Sequence, residues 1–485
     1  MRVILIIILT IVTYMTFPER IFAKDSPSVF EITPEELMRD ILTDTTPEIS
    51  DIRQKKIDDE LSRKLEVKLI PVDLEDCIKI AVEMNYQIKE KGYDVKEKRM
   101  NEFNAMTELI PDAAYVFSIS HLSGTYLVGG IIPVDVDEIP MQSYFEFKWS
   151  LNKFRPFFNI AQKKKLYDAS LKMRNFSREE AILNTALSYY NLLRKKAEMD
   201  IYTSNLTDRR AQYELTKARY LIGVGTKFDM YRADAEVAKS EQQYIQAIYD
   251  IRYAQAQLAV YMGISVLAPL YPKENFPQKT ASCTYDLYPL IEEIPERRKD
   301  VLAMKDEISA LKTERNAFYT DFLPDIDVSY TGGWYGTQKV GLYPSSTINL
   351  TVKTSLGKGL GAGTATNVLS YNAKIKAKQV QLAEKIRDIE AQTIKSFYEA
   401  KTAEERIIAS KTEVFASTES LKNSIVQMQV GTSTFIDVIQ AQNIKINADI
   451  ALATNITDYN KAKVQLLFDA GIITVENTLE GYKKP

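Results

Sequence analysis

The sequence predicts an α+β membrane protein in which long antiparallel helical hairpins alternate with amphipathic strands, four strands per chain, within a two-fold internal repeat. Three observations carry that expectation. Residues 188 to 264 align without gaps on residues 396 to 472. The stretches 161 to 221 and 364 to 430 contain neither Gly nor Pro. Four segments outside them alternate apolar with polar residues, the pattern of strands with one apolar face.

The chain opens on Met1-Arg2 and an apolar run from Val3 to Phe17, broken by Pro18, with Ala23 suited to precede a cleavage point. That run is shorter than the ~20 residues a spanning helix needs and has the build of a secretory signal, assigned to 1–23. No Cys follows it closely, so no lipid anchor is expected. The charged extension 24–73 has no assignment. Composition is that of a folded chain, 45% hydrophobic and 26% charged, and the 62 basic residues nearly balance the 65 acidic ones. The basic triplets Lys163-Lys164-Lys165 and Arg194-Lys195-Lys196 read as solvated helix faces, so nucleic acid is not an expected partner. With His121 as the one histidine and only Cys77 and Cys283 as cysteines, no metal, cofactor or catalytic site is expected. Whether the two cysteines pair is left open.

The repeat brings Ser188-Tyr189-Tyr190 onto Ser396-Phe397-Tyr398, Gly223 onto Gly431, Thr226 onto Thr434, Asp229 onto Asp437, and Gly263-Ile264 onto Gly471-Ile472. Upstream, Ile110-Pro111-Asp112 matches Leu323-Pro324-Asp325. The first structural repeat is set at 74–264 and the second at 297–473. A Pro-rich linker, 265–296, separates them, and a tail, 474–485, follows. Each repeat opens on a helix, Leu74 to Leu109 or Arg297 to Phe322, that ends before proline. The Gly/Pro-free stretches then predict helices ~90 to 100 Å long, stopped by Gly223-Val224-Gly225 or by Gly431. Returning helices run from Lys227 to Met262 and from Phe435 to Ala470. The first carries Val237, Ser240, Tyr244, Ala247, Ile251, Ala254, Leu258 and Tyr261, the three-four spacing of a coiled-coil seam. Such hairpins would stand exposed unless neighbouring copies covered them.

Among the strand segments, Phe145, Phe147, Trp149 and Leu151 alternate with polar residues. So do Ile326, Val328 and Tyr330, then Ile348, Leu350 and Val352, and less cleanly Tyr115, Phe117 and Ile119. A half-buried soluble sheet gives this pattern too, but the sequence offers no helix of ordinary length to cover the apolar face. Four strands leave edges that lipid does not tolerate. Three copies would supply 12, within the range of outer-membrane barrels.

On these residues the chain resembles the TolC-like outer-membrane efflux protein family. The resemblance rests on Leu74-x-x-Cys77-x-x-x-Ala81-x-x-x-Asn85, on the helix-ending prolines, and above all on the turns GVGTKFDMYRADAE (223–236) and GTSTFIDVIQAQNI (431–444). It implies a homotrimer whose β-barrel sits in outer-membrane lipid and continues into a helical tunnel. It also implies a periplasmic adaptor (membrane fusion) protein and an inner-membrane RND pump or ABC exporter as partners. The tips at 223–229 and 431–437 would form the entrance, with Gly223, Gly225, Thr226, Gly431, Thr432 and Thr434 shaping the turns. Asp437 and Asp229 would line the constriction, and Gln440 stands where some members carry a second acid. Met428 and Ser433 occupy the positions of a Tyr and an Arg that tie the tips in some members, and Tyr86 replaces a frequent proline. Both acids also fit simple N-terminal helix caps.

The run from Gly357 to Gly363 lacks the spacing of a phosphate loop and reads as a strand-to-helix connection. The rival reading of the whole chain is a periplasmic coiled-coil scaffold or adaptor without a channel. An enzyme is not expected.

Overall fold

A computed structural model describes residues 70–128, 132–280, 286–354 and 359–480. The expected signal segment, nearly all of the 24–73 extension, Cys283 and the end of the tail lie outside the described residues. Those described belong to one compact unit.

Four helices dominate: α3 (Arg155–Leu221, 67 residues), α4 (Lys227–Met262, 36 residues), α7 (Ala362–Val430, 69 residues) and α8 (Phe435–Asp469, 35 residues). At 1.5 Å per residue α3 and α7 each reach ~100 Å, about twice their returning partners. Shorter helices accompany the remainder. The helix α2 (Tyr86–Thr107) packs on α3, and α6 (Lys299–Ala317) packs on α3 and α7. Pro156 lies at the start of α3, where its missing N–H costs nothing, so the helix begins before the Gly/Pro-free stretch. The α4 seam holds: Ser240, Ala247, Ile251, Ala254 and Leu258 are buried, while Tyr261 turns outward.

The opening helix of the first repeat differs from expectation. It is broken into α1 (Leu74–Met84) and α2, with Asn85 between them at φ −57°, ψ 131°. The Asn85 side chain accepts from the N–H groups of Gln87 (2.8 Å) and Ile88 (3.4 Å) and donates to the Tyr261 carbonyl (2.8 Å). A capping side chain thus starts a second helix without proline. In the second repeat, α6 begins at Lys299 and gives way to a 3₁₀ turn at Phe318–Phe322. The Pro-rich linker is also structured. It carries β6 (Leu270–Pro272), parallel to β1 (Ile70–Val72), and α5 (Leu287–Arg297), which tolerates Pro295 near its end.

The strands β2 (Asp112–Ile119), β5 (Pro140–Ser150), β7 (Asp325–Thr337) and β8 (Gly341–Lys353) form one antiparallel sheet in the order β2-β5-β7-β8. Register places Tyr115 opposite Phe145, Phe147 opposite Tyr330, and Tyr330 opposite Ile348. The same face carries Phe117, Trp334 and Leu350, all exposed. On the other face Glu146 opposes Thr331 and Thr331 opposes Thr347, while Lys148 opposes Ser329 and Ser329 opposes Asn349. A further pair, β3 (Leu122–Val128) and β4 (Ile132–Glu138), extends the β2–β5 hairpin beyond the sheet. Sequence reading placed no strands there.

The main apolar core lies where α1, α3, α4, α8 and β6 converge, around Cys77, Ile78, Tyr189, Leu192, Leu193, Leu258, Met262, Leu270 and Leu467. Lys196 is fully buried beside it, and its ammonium donates to the carbonyls of Pro272 and Glu274 and to Asn275. The β6 segment is tied to α3 in this way. Cys77 is a buried free thiol. Among the described residues no helix is long and apolar enough to cross a membrane.

Candidate entrance at the helical tips

Both hairpins turn by the same local chemistry. At the first tip Gly223 takes φ +78°, a left-handed conformation natural to glycine. The N–H groups of Val224 and Gly225 both donate to the Arg219 carbonyl, at 2.9 and 3.0 Å. A Cβ on Gly225 would lie 3.1 Å from the Tyr220 nitrogen, so the turn is close-fitting there. Thr226 then caps α4: its hydroxyl accepts from the Asp229 N–H (3.1 Å) and donates to the Asp229 carboxylate (2.6 Å). At the second tip Gly431 takes φ +85°, and the Thr432 N–H donates to the Gln427 carbonyl at 2.9 Å. Thr434 and Asp437 form a reciprocal capping box.

Asp437 is exposed, yet Oδ2 receives three hydrogen bonds: Thr434 Oγ1 at 2.7 Å, Thr434 N at 2.8 Å and Ser433 Oγ at 3.0 Å. The Thr434 hydroxyl first, then its N–H and the Ser433 hydroxyl, hold this carboxyl below the usual carboxylate range. Asp437 is therefore anionic at neutral pH. Gln440 is exposed one turn further along α8. Ser433 helps to hold the Asp437 carboxylate in place.

The two tips meet. A groove of about 270 Å³ runs between them, lined by Arg219, Gly225 and Asp229 on one side and Met428, Ser433 and Phe435 on the other. Asp229 and Ser433 thus share a groove, which Asp437 does not line. Further along, a polar layer joins the hairpins. Arg209 donates to Asn443 Oδ1 (2.9 Å) and lies 3.8 Å from Glu236, and Gln212 donates to Gln442 Oε1 (2.8 Å). Arg209 is 2% exposed, so that contact sits inside the helix packing. Sequence reading missed this layer, although Arg209, Gln212 and Thr216 follow helical spacing into the tip. It also missed the apolar surface of the first tip, where Leu221, Ile222, Val224 and Phe228 are all at least two-thirds exposed.

Long paired helices ending in capped turns, joined to a sheet apolar on one side and polar on the other, have the fold of outer-membrane channels. The outer membrane channel VceC from Vibrio cholerae has a similar structure, with a TM-score of 0.70 at 17% identity over 82% of this chain and 96% of that one. CmeC from Campylobacter jejuni gives 0.72 at 13% identity over 85% and 87%, and the open state of MtrE from Neisseria gonorrhoeae gives 0.69 at 17% over 82% and 88%. No curated protein matches the chain in sequence. Residues 147–264 and 290–471 match the outer membrane efflux protein family, and the chain belongs to it. It is an efflux exit duct of the outer membrane, with its helices in the periplasm, and the reading as an adaptor without a channel falls. Channels of this family are trimers that work with adaptor proteins and pumps.

Proposed function

We propose that three copies of this chain close a 12-stranded barrel and a helical tunnel, and that cargo enters passively through the ring of hairpin tips. The lumen face of the barrel is the side bearing Glu146, Lys148 and Asn349. The two repeats, 74–264 and 297–473, each supply one strand pair and one hairpin, with 265–296 bracing their junction. A periplasmic adaptor docks on the tips, handing over cargo from an inner-membrane RND pump or ABC exporter. The exposed apolar residues Leu221, Ile222, Val224 and Phe228 support that docking surface, because an apolar cluster facing water marks a partner site.

Asp437 is the residue assigned to the constriction, with Gln440 beside it and Asp229 on the neighbouring hairpin. The observation that carries this reading is the exposed carboxylate held ionised at the tip by Thr434 and Ser433. Three such charges around a narrow axis attract cations and repel anions. Capping alone accounts for the hydrogen bonds and the ionised carboxylate but gives that charge no role in conduction. Asp437→Asn keeps an acceptor for the cap and removes the charge, whereas Asp437→Ala removes both. In planar bilayers under a salt gradient, both variants should lower the cation-to-anion permeability ratio, by about two-fold or more. Reversal potentials unchanged in both would reduce Asp437 to a cap.

A further inference from the structure

The β3–β4 ribbon continues the β2–β5 hairpin in unbroken register. Ile119 pairs with Met141 and Leu122 with Glu138, and the Ser120 N–H donates to the Pro140 carbonyl at 3.1 Å between them. The β7–β8 pair ends at Thr337 opposite Gly341, level with Pro140. The ribbon therefore runs ~20 Å past the rest of the sheet, at the end remote from the helices. In the sheet, β2 and β5 carry their apolar residues at odd positions, as in Tyr115, Phe117, Phe145 and Phe147. In the ribbon the sides exchange. Leu122, Gly124 and Val136 stand at even positions, and the same even register pairs Tyr126 with Val134 and Val128 with Ile132. Glu138, opposite Leu122, is the one charged residue of that even set, and the odd positions hold Ser123, Thr125, Asp135 and Asp137, with Leu127 opposite Pro133 further out. There the Thr125 hydroxyl donates to Asp135 at 2.5 Å, and His121 Nε2 lies 2.8 Å from Asp137 Oδ1.

The side that is polar below is thus apolar above. Outside the barrel no lipid covers an apolar face, so it calls for a protein surface. The ribbon rises from β2, an edge of the four-stranded sheet, and that edge is the one a neighbouring copy must complete. We propose that the β3–β4 ribbons of the three copies lean over the mouth of the barrel and pack on one another through Leu122 and Val136, forming an apolar constriction at the outer exit. An apolar ring of this kind gates by excluding water. The inference rests on the trimer assigned above.

Cysteine cross-linking tests it. Val136→Cys and Asp137→Cys are each placed in a Cys283→Ser chain. Cys77 stays unreactive at neutral pH because burial, aided by Asp73, pushes its thiol up to about 12. A short bis-maleimide applied to outer membranes should join Val136→Cys copies into covalent dimers, one pair per trimer because each chain offers one reactive thiol, and leave Asp137→Cys as monomers. Val136→Cys that stays unjoined, or joins no better than Asp137→Cys, overturns the packing. Native mass measured on the uncross-linked protein separates this from failure of the trimer itself, with which the inference would also fall. As a second readout, Leu122→Asp with Val136→Asp should raise single-channel conductance about two-fold or more by wetting the ring. Unchanged conductance denies the constriction.

Discussion

Asn85 and Gly263 act as a pair although 178 residues separate them in sequence numbering. Asn85 ends α1, caps α2 and donates to the last turn of α4, and Gly263 closes α4 against the same bend. At φ +71°, a Cβ on Gly263 would lie 2.5 Å from the Met84 carbonyl oxygen and 2.7 Å from its carbon. Gly471 is its counterpart in the second repeat. There φ is +69°, but the nearest atoms are the Arg298 side-chain Cδ and backbone nitrogen, both at 3.2 Å. Both alanine variants should incur the left-handed strain of about 1–3 kcal/mol. Only Gly263→Ala also drives a methyl closer than 3.0 Å to backbone atoms. Its unfolding midpoint in urea should therefore fall further than that of Gly471→Ala, and an equal fall would show that the α1–α2 bend yields.

The hairpins were legible in the sequence, because a long stretch free of Gly and Pro, a glycine stop and a Thr-x-x-Asp start are local signals. The capping half of the Asp437 reading was legible for the same reason. The polar layer of Arg209, Gln212, Gln442 and Asn443 was not, since nothing local to either repeat says that these helices meet there. The β3–β4 ribbon escaped because its apolar positions change parity across Ser120 and Pro140, so one alternation read through the hairpin cancels. The break at Asn85 escaped because asparagine within a helical run is only mildly unfavourable. The tip cap carries its own pH dependence. Asp437 titrates below its unfolded value, so its contribution is complete above that value, about 3.9, and is lost as pH falls through the depressed folded one. Amide exchange at Thr434, corrected for intrinsic rate, should quicken below about pH 4. Asp437→Asn should abolish that step, and a step that survives it must belong to another group.

At the scale of the molecule, the single chain is incomplete. The repeats are not equivalent in their surroundings: Tyr190 is buried in the core, whereas its repeat counterpart Tyr398 is 56% exposed and lines an opening of about 670 Å³ with Lys395, Arg406 and Asp458. Along α7, Val380, Ile394, Ile408 and Phe415 form an exposed apolar stripe at multiples of seven residues, interrupted by Arg387 and Lys401 at the intervening steps, the spacing of a seam without its partner. The sheet likewise ends in two unpaired edges, β2 and β8. Detergent-extracted protein should therefore migrate as a trimer unheated and as a monomer after boiling. A monomer in both lanes would leave the stripe, the opening and both edges unexplained.

The pairing of β5 with β7 is where one repeat is sewn to the other. Before such a chain was fused, half-length copies would have needed to gather six at a time to close the same wall. Fusion halves the number of bodies that must find one another and makes the central strand pairing intramolecular. It also frees the halves to diverge. The outer ribbon belongs to the first repeat alone, so a ring of six near-equal positions carries only three arms. A six-fold ancestor could have had none or six, and only a tandem chain can choose the intermediate number.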